Sequence, residues 1–181
     1  MNRGSSLAKV LILLLVHNLV IVAPTLAAPI LPARPDFSDE NLSLGGVKRV
    51  RLQIHRISKS LQDVGISQRD LDEAFRDELK ETGIRIVEDR DAPLAKLILF
   101  EVGDSDQPQA MGIGVILAVH QTVKLERLGR RLTIPTYTTT KVFITNEENA
   151  AARLEPVLRD VIRHFTRTVE QANRVLQEET E

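Results

Sequence analysis

Cysteine and tryptophan are both absent from the 181 residues, and aromatic residues make up only 3% of the chain. The lack of cysteine excludes disulfides, thiolate metal sites, cysteine nucleophiles and a lipid attached to an N-terminal cysteine. The formal net charge is −1, and loss of residues 1–27, which carry Arg3 and Lys9 but no acidic residue, changes it to −3. This balance gives no reason to expect nucleic acid as a partner, because nucleic-acid-binding domains present a basic surface.

The first 27 residues have the organisation of a secretory signal peptide. Two basic residues precede an apolar run over 10–22, and Thr25-Leu26-Ala27 places a small residue at the cleavage position. A membrane anchor is the alternative, but the run is shorter than the ~20 residues of a spanning helix and contains His17 and Asn18. We therefore expect export to the periplasm or the extracellular space, with no stable membrane span after cleavage.

The remaining chain divides by composition into a tether, one domain and a tail. Residues 28–46 are rich in proline, then serine and glycine, which is typical of an extended Pro-rich tether. Residues 47–176 alternate strand and helix patterns and are expected to form a single α+β domain. Residues 177–181 are polar and are expected to fray.

A long β-hairpin over 113–145 is the strongest pattern in this domain. Its first arm alternates apolar residues from Ile113 to Leu125, and its second arm alternates from Leu132 to Ile144. The turn falls at Arg127-Leu128-Gly129-Arg130, where Gly129 can adopt a positive φ. Matching the apolar faces predicts that Leu125 pairs with Leu132, so that Val119 meets Thr138 and Val115 meets Val142.

Two helices and three further strands complete the expected fold. Ser67 caps a helix that ends at Gly83, and a second amphipathic helix begins after Asn149 with Pro156 in its first turn. Strands are expected over 47–54, 84–87 and 94–102, with a loop over 103–110. The prediction is an α+β fold: a mostly antiparallel sheet of about five strands with two helices packed on one face.

No pattern of catalytic or metal-binding residues emerges from the sequence. Gly112-Ile113-Gly114 lacks the further residues of a phosphate loop, and no Gly-x-Ser-x-Gly element is present. The histidines at 55, 120 and 164 have no His-Glu-x-x-His context, which favours ordinary packed or surface positions over metal ligation. The sequence thus predicts no cofactor, no metal site, no catalytic residue and no enzymatic activity.

One face of the hairpin is a candidate contact surface. If the helices cover the Val115/Val142 face, five residues share the other face, where they would meet a ligand or partner: Ala118, His120, Tyr137, Thr139 and Lys141. The alternative is an ordinary solvated face, since threonine is also simply a good strand former.

The leader, the stretch Ala92-Pro93-Leu94-Ala95-Lys96-Leu97-Ile98-Leu99, the hairpin and the closing helix together resemble a group of small exported bacterial α+β proteins. Over 47–176 the order of elements is also similar to that of the lipopolysaccharide-assembly lipoprotein, which packs two helices on a sheet. That lipoprotein carries an acylated cysteine that this chain lacks, so the resemblance implies layout and assigns no functional residue.

These observations favour an exported, non-enzymatic binding or adaptor protein of the bacterial cell envelope, with an envelope protein or a small ligand as its partner. The alternative from another class is a small hydrolase or metal-dependent enzyme that uses His120 and Tyr137. An enzyme needs several polar groups around one cavity, whereas an adaptor needs a flat or edge-exposed surface.

We predict that the mature protein begins at Ala28, because Thr25-Leu26-Ala27 is the best small-residue site after the apolar run. N-terminal sequencing of the exported protein measures this directly. Recovery of a chain that still begins at Met1 from the membrane fraction would instead establish an anchor.

Overall fold

Five strands and four α-helices make up the described part of the chain, residues 37–80, 82–103 and 110–178 of a computed structural model. In order they are α1 (Asp39–Leu42), β1 (Arg49–Ile54), α2 (Lys59–Asp63), α3 (Gln68–Lys80), β2 (Arg85–Ile86), β3 (Leu94–Gly103), β4 (Met111–Leu125), β5 (Arg130–Thr145) and α4 (Ala150–Glu178). The predicted signal peptide, its cleavage site, and residues 28–36, 104–109 and 179–181 lie outside the described residues.

The strands form one sheet in the order β2-β1-β3-β4-β5. The α+β class and the five strands are as predicted, but the sheet is mixed and not mostly antiparallel. Strand β1 runs parallel to both β2 and β3, whereas the β3/β4 and β4/β5 pairs are antiparallel. The reason is the helical connection after β1. The helices carry the chain back to the end of the sheet where β1 began, so β2 runs parallel to β1.

Both long helices pack on the same face of the sheet, as predicted. Helix α3 contacts β1, β2 and α4, while α4 lies across β4 and β5. Ser67 caps α3 by accepting a hydrogen bond at 3.1 Å from the N–H of Asp70, and Gly83 follows the helix with a φ of 74°. The core between helices and sheet takes the apolar stripe of α4, including Leu158, Ile162 and Phe165.

Helix α4 starts more residues before Pro156 than the sequence predicted. The helix starts at Ala150, directly after a short 3₁₀ turn that Asn146 caps, so Pro156 lies in the second turn. The prediction of Pro156 in the first turn is therefore wrong. A proline at this position has no N–H to donate to the carbonyl four residues earlier, that of Ala152.

The packed part of the chain also begins earlier than Val47. Helix α1 is capped by Ser38, and Leu44 is completely buried in the core. The predicted tether is consequently wrong for residues 37–46. A few apolar residues such as Leu42 and Leu44 are enough to fix this segment, because it packs against α4 and β5 and needs no separate core.

The hairpin exists, but its register differs from the prediction. Leu125 pairs with Arg130 across a tight turn of 3₁₀ type closed by Gly129, whose φ is 59°. An irregularity between Val119 and His120 then shifts the register once more, so that Val119 faces Tyr137 and Val115 faces Lys141. Because side chains alternate between faces, this odd shift puts Val142 on the face opposite to Val115.

We expect Phe165→Ala to destabilise the protein by about 3–5 kcal/mol, because the side chain is fully buried in the middle of α4. Lys141→Ala should cost less than about 1 kcal/mol, because Lys141 is exposed and makes only a surface ion pair with Asp160. Urea denaturation of both variants tests this. Equal midpoints would contradict the burial of Phe165 between α4 and the sheet.

Candidate functional site

The five predicted contact residues do not share one face of the hairpin. Ala118 and His120 point to the uncovered face, whereas Tyr137, Thr139 and Lys141 alternate along the helix-covered face with Val119, Leu117 and Val115 opposite them. The shifted register is the cause. The prediction of an exposed surface shared by His120 and Tyr137 is therefore wrong. The two side chains lie on opposite faces of the sheet, so they do not form the joint site that the alternative enzyme hypothesis requires.

Tyr137 is a core residue. Its side chain is 2% exposed, and its ring centroid lies 6.1 Å from that of Phe165 with the planes tilted by 47°. The hydroxyl makes no hydrogen bond of ordinary geometry to any described residue. Burial raises the pKa of Tyr137, and the nearby hydroxyls of Thr168 and Thr139 offset this only in part.

Lys141 joins the edge of the sheet to α4. Its Nζ lies 2.9 Å from Oδ2 of Asp160, and about half of each side chain is exposed. The ammonium group lowers the pKa of Asp160 from its usual value. The pair holds β5 against the helix and is a surface interaction of modest strength.

An exposed apolar patch lies on the uncovered face, and we define it as Phe100, Val102, Val142 and Ile144. Val102 is 60% exposed, Val142 is 65% exposed and Ile144 is 70% exposed. The register aligns Val102 with Ile144 across Gly112, and Phe100 with Val142 across Gly114. Soluble domains seldom leave several large aliphatic side chains together in solvent without a use for them.

Gly114 shapes the centre of the apolar patch. A Cβ atom at this position would fall 2.1 Å from Cζ of Phe100, so the ring lies directly over the glycine backbone. The aromatic ring covers a strand that has no side chain of its own there. The Phe100 ring fills the space above Gly114, so the apolar surface is continuous from β3 to β5.

The same face becomes polar toward its other end. Arg51, Lys96 and His120 lie on it, all half-buried, together with Ala118, which is only 6% exposed. The contact residues predicted from the sequence thus keep two members on this face. Ala118 is nevertheless too enclosed between its neighbours to offer much surface itself.

The edge of β5 is the second exposed feature, and described side chains hydrogen-bond to it near its middle and near its C-terminal end. Near its middle, Glu40 Oε1 accepts a hydrogen bond at 2.7 Å from the N–H of Thr138, and the Ser43 hydroxyl donates to the carbonyl of Thr136 at 3.0 Å. Near its end, Arg153 donates to the carbonyl of Ile144 at 3.0 Å. The edge between Thr138 and Ile144 has no such cover from the described residues.

Grooves elsewhere on the described part of the domain are lined partly by charged side chains. A groove of about 370 Å³ between α3 and α4 is lined mainly by acidic and leucine side chains, including Asp70, Leu71 and Glu155. Within the described residues, no three histidine or carboxylate side chains cluster in a way that would hold a metal ion. None of the helices in the described part is long and apolar enough to cross a membrane.

Sequence reasoning missed the apolar patch, although a signal was present. From Leu97 to Val102, β3 carries apolar residues at both odd and even positions apart from Glu101. Such a run indicates a strand that is covered on both sides, or one whose second face is apolar and open. The glycines at 112 and 114 beside it mark the strand where no side chain fills that second face.

Comparison with known proteins finds similarity in layout. A minor lipoprotein from Acinetobacter baumannii is 16% identical, with a TM-score of 0.39 over 71% of this chain and 93% of its own. Rare lipoprotein B from Shewanella oneidensis is 14% identical, with a TM-score of 0.26 over 73% and 93%. The expected likeness to a lipoprotein in element order is confirmed at this coarse level, and such low scores carry no argument about function. No family model matches the chain, and no curated protein matches it in sequence.

The environment of Tyr137 predicts a loss of stability at alkaline pH. Because its pKa is raised in the folded state, the stabilisation is complete below the unfolded value of about 10 and is lost as the pH rises through the folded pKa. Tyr137 is the only tyrosine, so tyrosinate absorbance reports on it alone.

Titration of the folded and the urea-unfolded protein should show the higher pKa in the folded state. Tyr137→Phe should be nearly neutral at pH 7, since it removes an unpaired hydroxyl, and should abolish the alkaline loss. Titration at the same pH in both states would contradict the burial of this hydroxyl.

Proposed function

We propose that this chain is an exported, non-enzymatic binding or adaptor protein of the bacterial cell envelope, which acts by contact through the uncovered face of its sheet. The observation that carries the proposal is the apolar patch, with Val102, Val142 and Ile144 each more than half exposed. Covering such a surface with a partner removes apolar area from water, which is the main driving force of association.

The leader over 1–27, with its basic residues, apolar run and small-residue site, supports the proposed export. The periplasm or the extracellular space remains the proposed compartment.

The shape of the surface favours a macromolecular or extended partner over a small ligand. The patch lies on a sheet surface and extends across β3, β4 and β5, whereas small-ligand sites are concave and bury most of the ligand. The basic end of the face, with Arg51, Lys96 and His120, supplies polar contacts at one border of the patch. An apolar centre with a polar rim is the usual anatomy of a protein interface.

We expect Val102→Glu and Ile144→Glu to abolish partner capture without unfolding the domain. Both side chains are largely exposed, so each change should alter stability by no more than about 0.5 kcal/mol, while a charge would have to be desolvated in the interface. The measurements are thermal melting by circular dichroism and quantitative capture from envelope extract.

Leu128→Glu is the matched control. Leu128 is an exposed leucine in the turn between β4 and β5, away from the patch, and its variant should capture the same proteins as the unmodified chain. Variants at 102 and 144 that melt normally and still capture every partner would remove the uncovered face from consideration.

A further inference from the structure

Among the described residues, the edge of β5 has a short length of unpaired main chain between two points that side chains cover. The N–H of Thr138 donates away from the sheet to Glu40, and the carbonyl of Ile144 accepts away from the sheet from Arg153. Pairing with β4 is regular between these points, so the N–H and C=O groups of Thr140 and Val142 also face outward. No described residue hydrogen-bonds to them. We call this stretch, 138–144, the edge window.

The two flanks of the edge window differ in chemistry. Above the uncovered face stand the exposed side chains of Val142 and Ile144. On the helix side, Lys141 is accompanied by Arg153, and the charges of Lys141 and Arg167 act on the carboxylate of Asp160. The window therefore has an apolar flank and a flank that carries these three cations and Asp160, with the carboxylate of Glu40 at the Thr138 end.

We propose that the edge window binds an extended segment of a partner protein, which joins the sheet beside β5 and alternates apolar with acidic side chains. The inference rests on the proposed function and names the kind of partner and the mode of contact. An extended chain matches the spacing of the outward main-chain groups. Its period of two places apolar side chains beside Val142 and Ile144, and acidic ones beside Lys141 and Arg153.

A second copy of this chain fits the edge window less well. Pairing β5 with itself about a two-fold axis would bring the basic flank of one copy against the same flank of the other, including Lys141. Like charges facing each other across paired strands are destabilising, and lysine on an edge strand is a common device against self-pairing. Charge complementarity thus favours an acidic partner segment.

The probe for this site is a synthetic peptide of about seven residues that alternates valine with glutamate, long enough to span the window. A peptide of the same composition with its valines and glutamates in two blocks is the control for pattern. In amide hydrogen exchange on the unmodified protein, the N–H groups of Thr140 and Val142 should exchange fast alone and become protected when the alternating peptide is bound.

Thr140→Pro is the decisive variant, and Thr140→Val is its matched control. Proline removes the outward N–H of residue 140 while the ladder to β4 keeps the inward groups of its neighbours, and β5 already accommodates Pro135. We expect Thr140→Pro to weaken peptide binding by at least about tenfold, because it loses a main-chain hydrogen bond and crowds the edge. Thr140→Val should bind as the unmodified protein does.

Three results would overturn the proposal: no protection of the Thr140 and Val142 amides at saturating peptide, equal affinity of the proline and valine variants, or equal binding of the block peptide. A concentration-dependent dimer that Thr140→Pro abolishes would assign the window to a second copy and also overturn it. The amide measurement on the unmodified protein keeps the test valid if the proline variant fails to fold.

Failure here is distinguishable from failure of the proposed function. Val102 lies on β3, two strands from the edge, so Val102→Glu tests the face without touching the edge window. If the window binds no peptide but Val102→Glu still abolishes capture, the face remains the contact and only the edge is rejected. If Val102→Glu has no effect while the window binds, the face is rejected.

Discussion

The contact between Tyr137 and Phe165 determines which face of the hairpin the protein hides. Burying the one tyrosine against the middle of α4 requires residue 137 to point toward the helices, and the alternation of β5 then sends Val142 and Ile144 to the opposite side. A buried aromatic side chain removes more apolar surface from water than either aliphatic residue does. The exposed patch is thus a direct consequence of the packing choice in the core.

The same choice of which apolar side chains to bury also explains the layers of the domain. The two long helices cover one face of the sheet from β2 to β5, and no helix of the described part lies on the other face. The open face is graded, because its basic residues lie toward one end and its aliphatic residues toward the other. A surface with two chemistries in fixed order can orient a partner as well as hold it.

The positions of helices and strands were predicted from the sequence better than the pairing and direction of the strands. Alternation from Ile113 to Leu125 located β4, and the Ser67 cap and Gly83 bounded α3, because these signals are local and each has one physical cause. The parallel pairing of β1 was also within reach, since strand, helix and strand in succession imply a crossover. The prediction of a mostly antiparallel sheet did not use that rule.

The hairpin register and the exposed site could not be predicted from local sequence signals. An irregularity of one residue near Val119 reverses the faces of everything beyond it, and its location depends on tertiary packing and not on a local motif. The early part of the chain was misjudged for a related reason. Glycine and serine near Leu44 look like a linker until the sheet that receives the leucine is known.

Helix α1 and the residues after it determine how the chain would respond to truncation at its N-terminal side. Its few residues supply Glu40 and Ser43 to the backbone of β5 and lead to the buried Leu44. A chain trimmed to Val47 would keep every strand and both long helices, yet it would lose this cover. The bare edge would then extend back through Thr138 to Thr136, and a long bare edge beside an aliphatic surface is a template for fibrous aggregation. We therefore expect the segment from Ser38 to Leu44 to favour solubility, although it contributes no strand to the sheet.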